Sequence, residues 1–336
     1  MPRHGVLLVG AVVGLAVIAP LHADAQDWTR REFPLAPPNS NDNFVAPYFD
    51  GFHQNADGTY TMSFGFMNRN DSELIEIPLG ADNFIEPAEF DGDQPTSFPT
   101  VRYSGFGGPR ERGTFGVVVP ADFEGDVWWT LTTDGYTTRV PGRLESPGRI
   151  IKGAYELGTS PMAKGSLRPI IRFTEGAPDS YGIVGVQHPD QFTTAVGEPI
   201  EVRFWALDRG ERELGYVNMT LWKHQGPVPG LIAFESLVEA PPARQGRGAR
   251  GGGAAAAAGS AGRGGARGGP GPVAIGRSVR IPTEGAAANI GHFKATFDTP
   301  GDYVIRIRVD SFSNRDSAPG NQCCWSNGYV RVRVNE

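Results

Sequence analysis

The stretch from Thr299 to Asp310, Thr-Pro-Gly-Asp-Tyr-Val-Ile-Arg-Ile-Arg-Val-Asp, leaves the chain little choice of fold class. A Pro-Gly turn hands over to strict alternation. Tyr303, Ile305, Ile307 and Val309 fall on one face, and Val304, Arg306, Arg308 and Asp310 on the other. A period of two bounded by turn formers predicts a strand with one buried and one solvated face. The pattern recurs at Tyr60, Met62, Phe64 and Phe66, which alternate with Thr61, Ser63 and Gly65. It returns on both sides of Asp134-Gly135, a two-residue hairpin signal. No window holds a capped 3.6-residue period, and 46 Gly and 28 Pro suit many short strands. The expectation is an all-β chain of two antiparallel β-sandwich domains.

At 336 residues the chain has material for two cores. Residues 1–25 read as a signal peptide: Arg3 and His4 precede an apolar run, and Ala23-Asp24-Ala25 offers small residues for cleavage. Residues 26–44, rich in Pro, Asn and Asp, read as an extended leader. The first sandwich is expected over 45–145. Within it, 80–112 reads as a long loop whose aromatics (Phe84, Phe90, Phe98, Tyr103, Phe106) pin it down. A linker with short strands is expected over 146–184, and a second sandwich over 185–336. The second is interrupted at 241–272 by an Arg/Gly/Ala tract that composition assigns to disorder.

That tract carries five Arg and no acid, so the formal charge of -6 belongs to a still more acidic remainder. Such a balance does not make a nucleic-acid surface. No segment after the signal is apolar enough to span a bilayer. The chain is therefore expected to be exported, to the periplasm or the extracellular space.

In the second half, Val196-Gly197-Glu198-Pro199-Ile200-Glu201-Val202 leads to Asp208, then Trp222 with Gly226-Pro227. Ala295-Thr296-Phe297 then enters Pro300-Gly301-Asp302-Tyr303, with Asp310 beyond. In that order these residues resemble a PKD-type immunoglobulin-like module over about 185–336, apart from the insert and a longer final loop. The resemblance implies a fold and almost nothing about activity. It places Trp222 on the third strand as the large core residue, packed from the facing sheet by Ile305 and Ile307. Tyr303 is placed for a tyrosine corner, its hydroxyl bonded to nearby backbone.

Cys323 and Cys324 are the only cysteines. Three arrangements fit them: a vicinal disulfide stiffening the loop, an intermolecular disulfide, or thiols used for metal or redox work. Adjacent Cα atoms sit about 3.8 Å apart, below the usual disulfide range of about 4.4–6.8 Å, so a vicinal bridge is strained. It is nevertheless preferred in an exported chain. Neither C-x-x-C spacing nor a neighbouring His supports the third arrangement.

Asp/Asn clusters at 39–43, 68–71 and 91–93 could offer calcium ligands, but these residue types also favour turns, which is the preferred reading. Gly246-Arg247-Gly248-Ala249-Arg250-Gly251 matches G-x-G-x-x-G inside the low-complexity tract, where no strand precedes it and no helix follows. His53, His188, His224 and His292 lack metal-binding spacing, and no G-x-S-x-G elbow occurs. Alternation sends one of Trp128 and Trp129 to the core and leaves the other as a possible sugar-stacking surface.

No cofactor and no catalytic residue are expected. The sequence fits a non-catalytic binding or scaffolding protein contacting a protein or glycan at the cell envelope. A secreted carbohydrate-active hydrolase, or its accessory binding module, is the alternative. Binding residues are expected where Asp310 ends its strand: Asp208, Asp310, Asn314, Arg315, Asp316 and Trp325, beside Cys323 and Cys324.

Overall fold

Aromatic alternation at the start and aliphatic alternation at the end build two separate cores. The computed structural model describes residues 45–70, 73–101, 110–145, 153–158, 167–210, 215–239, 271–273, 275–311, 317–318, 321–322 and 324–336. All of them fall within one unit, Ser40–Glu336. The signal and leader expected over 1–44 lie outside the described residues, as do Tyr103, Phe106 and residues 240–270 of the insert region.

The first sandwich has two three-stranded sheets. One orders β1 (Val45–Gln54), β2 (Tyr60–Asn68) and β4 (Arg110–Val119); the other orders β3 (Asn83–Glu86), β5 (Asp126–Thr133) and β6 (Tyr136–Arg143). Asp134 at φ 47° and Gly135 at φ 79° give the left-handed pair that a tight β5–β6 hairpin needs. Phe64 and Phe115 stack at 5.4 Å, and Trp129 meets both edge-on, at 6.2 and 5.0 Å. Trp129 donates from Nε1 to Asn83 Oδ1 at 3.0 Å, while Asn83 Nδ2 donates to the carbonyls of Ile77 and Pro95. One buried amide thus ties 77–96 to the core. The stretch expected to be loop over 80–112 contains β3 and the start of β4, and Ser97–Phe98 pairs with Ile75–Glu76. β3 escapes a pattern reading because four residues closed by Pro87 show too few alternations.

The second sandwich puts β11 (Ile232–Ser236), β13 (Ile290–Phe297), β9 (Ile200–Leu207) and β7 (Ile170–Arg172) in one sheet, in that order. The other runs β15 (Trp325–Asn335), β14 (Gly301–Asp310), β10 (Tyr216–Gln225) and β12 (Ser278–Pro282), with β8 (Phe192–Ala195) parallel to β15. This division, with one edge strand antiparallel to β9 and another parallel to the last strand, is an immunoglobulin-like arrangement. Tyr303, Ile305, Ile307 and Val309 face its core as expected, and Tyr303 Oη donates to the Thr299 carbonyl at 2.8 Å.

Trp222 requires a correction. β14 lies beside β10 in the same sheet, with Trp222 opposite Arg306, so Ile305 and Ile307 do not come from a facing sheet. Met219 and Leu221 point into the core, and alternation turns Trp222 to the other face. That face is not the solvated one expected. Arg306 is only 1% exposed, because the first sandwich covers it.

The ends of the Arg/Gly/Ala tract meet in a short antiparallel pairing, Ser236 opposite Gly271 and Phe234 opposite Val273. Gly271 and Pro272, expected within the disordered tract, are therefore in a strand. The 153–158 part of the expected linker is held by the first sandwich, through Phe52 N to Tyr155 O at 2.9 Å and Leu157 N to Phe52 O at 2.8 Å.

Candidate functional site

The outer face of β14 and β15 meets β4 and the 181–185 segment, and polar side chains fill the contact. Arg306 projects from β14 under Trp222, its Cζ 4.2 Å from the ring centroid. It donates from Nη1 to the Thr114 carbonyl and from Nη2 to Glu111 Oε1, each at 2.9 Å. Arg308, two residues on, donates to the same carboxylate oxygen at 2.9 Å. Burial holds Arg306 below the ordinary arginine value, and the facing Glu111 carboxylate opposes that drop.

The neighbours complete a nearly dry network. His224 packs against Tyr329 at 5.1 Å between ring centroids, and its Nε2 lies 2.8 Å from the Asp93 carbonyl. Burial, then the Arg306 charge, pushes the imidazole down to about 3, so it is neutral at ordinary pH. Burial pushes the Tyr329 phenol up to about 12. Lys223, 2% exposed although its neighbours in the core are apolar, donates to Glu76 and to the carbonyls of Pro227 and Gly230. Gln225 Nε2 donates to the carbonyls of Gly92 and Gln94, at 2.7 and 2.8 Å. Arg306, Lys223 and Gln225 each reach at least one acceptor in the first sandwich, as a low dielectric demands, while the buried Nε of Arg306 has no partner among the described residues.

Gly113 is the pivot of β4. Its φ is 54°, and a Cβ there would lie 2.7 Å from the Trp325 indole. Its N–H donates to Asp50 Oδ2 at 2.8 Å, while its carbonyl accepts from Asn327 Nδ2 at 3.2 Å. Burial raises the Asp50 carboxyl above its usual value against the opposing Arg110 charge, 2.7 Å away.

The expected binding residues do not form one surface. Asp208 sits just after β9 and accepts the Gly210 N–H at 3.0 Å, a local turn bond. Asp310 closes β14, 3% exposed, and accepts from Asn218 Nδ2 at 2.8 Å. Trp325 is not at a loop tip. It opens β15, is 3% exposed and packs on Gly113, since the last strand starts four residues before the expected Tyr329. Its apolar area is spent inside the molecule. Asn314, Arg315, Asp316 and Cys323 lie outside the described residues. Cys324 is buried and disulfide-bonded, with φ 86°.

Among the described residues, no group of three or more His, Cys, Asp or Glu is placed to hold a metal ion. Nor is any helix there long and apolar enough to cross a membrane. Trp128 takes the outward position beside the buried Trp129, half-exposed, with Arg139 Cζ 4.2 Å over its ring and Arg143 at 5.9 Å.

No family model matches the chain, and no curated protein matches it. Among solved structures, a chimeric titin Z1Z2 functionalized with a KLER exogenous peptide from decorin is similar over 87% of this chain and 97% of that one. The identity is 7% and the TM-score 0.20.

Proposed function

We propose that the chain is an exported, non-catalytic binding or scaffolding protein of the cell envelope or extracellular space, whose sandwich loops contact a protein or glycan. The observation that carries this reading is the buried Glu111–Arg306–Arg308 junction. Modules in one chain ordinarily move against one another unless their interface is extensive. Here charges are sequestered to hold two sandwiches together, which presents their loops from one rigid support. Such stiffness suits positioning a partner. The second sandwich is read more finely as PKD-type, on its Gly197-Glu198-Pro199 and Pro300-Gly301-Asp302-Tyr303 turns. Cys324 is assigned a vicinal bridge to Cys323, the only other cysteine in the chain.

Half-exposed Trp128 favours a second reading, a carbohydrate-active module, because an aromatic ring bounded by Arg139, Arg143 and Glu86 can take a sugar face and bond its hydroxyls. Glycan arrays and envelope pull-downs, run beside turnover assays on the same polysaccharides, separate the two. Binding without turnover is expected. Hydrolysis abolished by replacing a single carboxylate would overturn the non-catalytic reading.

A further inference from the structure

Several cations of the described residues have no carboxylate answering them, and two of these lie close enough to repel one another. Arg168, just before β7, and Arg209, just after β9, have no carboxylate partner among the described residues. Among those residues Arg168 Nη2 is the one terminal guanidinium nitrogen that is buried with no hydrogen-bond partner. Buried guanidinium donors are normally satisfied, so this arrangement asks for an acceptor from outside the fold. The ring of Tyr181 completes the cluster: it is 52% exposed, and Arg209 Cζ lies 4.4 Å from its centroid. Leu167 and Val184, both substantially exposed, flank the segments that carry Arg168 and Tyr181.

The supports are rigid. Ser326, wholly buried on β15, donates from Oγ to the Pro169 carbonyl at 2.6 Å and accepts the Gly182 N–H at 2.9 Å. One hydroxyl therefore fixes the residue after Arg168 and the residue after Tyr181. Ser311 Oγ donates to the Leu167 carbonyl at 2.8 Å. Arg168 Nη1 runs along the backbone at Gly182, 3.5 Å from where a Cβ would stand. Burial and the like charge of Arg209 both hold Arg168 below its ordinary value, and Tyr181 opposes them.

We infer that Arg168, Arg209 and Tyr181 form an oxyanion-binding site for the carboxylate or sulfate of an acidic saccharide. Two guanidiniums offer planar donor forks to the anion, and the free part of the Tyr181 ring offers a surface to the sugar. The Trp128 face has the aromatic ring, but Glu86 and Asp126 already pair its arginines. The inference deepens the binding reading above and rests on it.

Calorimetric titration of the full chain tests it, using an oligogalacturonate, a sulfated oligosaccharide, a neutral oligosaccharide of equal length, inorganic sulfate and a poly-glutamate peptide. One or both acidic oligosaccharides are expected to bind, and the neutral one not. Arg168→Gln and Arg209→Gln should each weaken binding at least tenfold while melting near the wild type. Tyr181→Ala should weaken the oligosaccharide more than sulfate, and Arg168→Lys should restore only part of the loss. Unchanged affinity in both Gln variants overturns the site, as does poly-glutamate binding as tightly as the saccharides, or binding of inorganic sulfate alone. Capture of an envelope partner that survives both Gln variants removes this site and leaves the wider binding reading intact. Turnover of the saccharide does the reverse.

Discussion

Arg306 and Glu111 stand 195 residues apart and meet at 2.9 Å in a site almost closed to water. The pair ties the middle strand of one sandwich sheet to the neighbouring module. Its energetics are asymmetric. Two paired buried charges contribute little net stability, whereas one left alone is costly.

Glu111→Ala should therefore destabilise the chain by about 3–5 kcal/mol, because it strands Arg306 with only the Thr114 carbonyl and the Trp222 face. The double replacement Glu111→Leu/Arg306→Met should recover most of that loss. Chemical denaturation of the two singles and the double, treated as a cycle, gives the coupling. Additive losses would mean that the pair is not coupled.

His224 should give the folded state a pH dependence of known sign. Its value falls from 6.5 to about 3 on folding, so the unfolded chain holds more protons between those limits. The contribution is whole above pH 6.5 and is lost as pH falls toward 3, at up to about 1.4 kcal/mol per pH unit. The interval from pH 6.5 to 4.5 isolates it from most carboxylates. Urea midpoints there should fall with acidification in the wild type and much less in His224→Gln.

Gly113→Ala should loosen the junction without touching a charge. The added methyl would meet the Trp325 indole at 2.7 Å, in a backbone region that L residues avoid. Overpacking and strain together should cost about 2–4 kcal/mol. Melting curves should shift down, and limited proteolysis should reach the 181–185 segment sooner. Protection equal to the wild type would argue that the tryptophan yields freely.

Adjacent tryptophans should respond oppositely to truncation. Trp129→Ala empties a fully buried position and loses the bond to Asn83, at about 3–5 kcal/mol. Trp128→Ala should leave stability within about 1 kcal/mol, since the ring already faces outward. Comparing both by thermal melting, then Trp128→Ala by glycan binding, shows whether that ring does more than cover the sheet.

Alternation made the strands legible, because each β14 side chain needed only a face, and period two supplies one. The partner of that face was not legible. Arg306 and Arg308 read as solvated because charge normally is, and nothing near them in sequence announces Glu111. Trp222 misled for a related reason: its size suggested the core, while its register among Met219 and Leu221 placed it outward. The Arg168–Arg209–Tyr181 cluster joins separate loops and carries no spacing signal. Its convergence, with the buried Arg168 Nη2 left without a partner among the described residues, becomes visible only once the chain is folded.

β15 has a consequence in time. Ser326, Asn327 and Tyr329 secure the Pro169, Gly182, Ile183 and Thr114 backbones, yet they are synthesised after all of them. Domains form as their residues emerge, the earlier ones first. Through most of its biosynthesis the first sandwich must therefore keep Glu111 and the Thr114 carbonyl wet, with water standing in for arginines not yet made. A chain ending before Trp325 would already hold Arg306 and Arg308 but would lack the Ser326, Asn327 and Tyr329 anchors that fix the backbone around them.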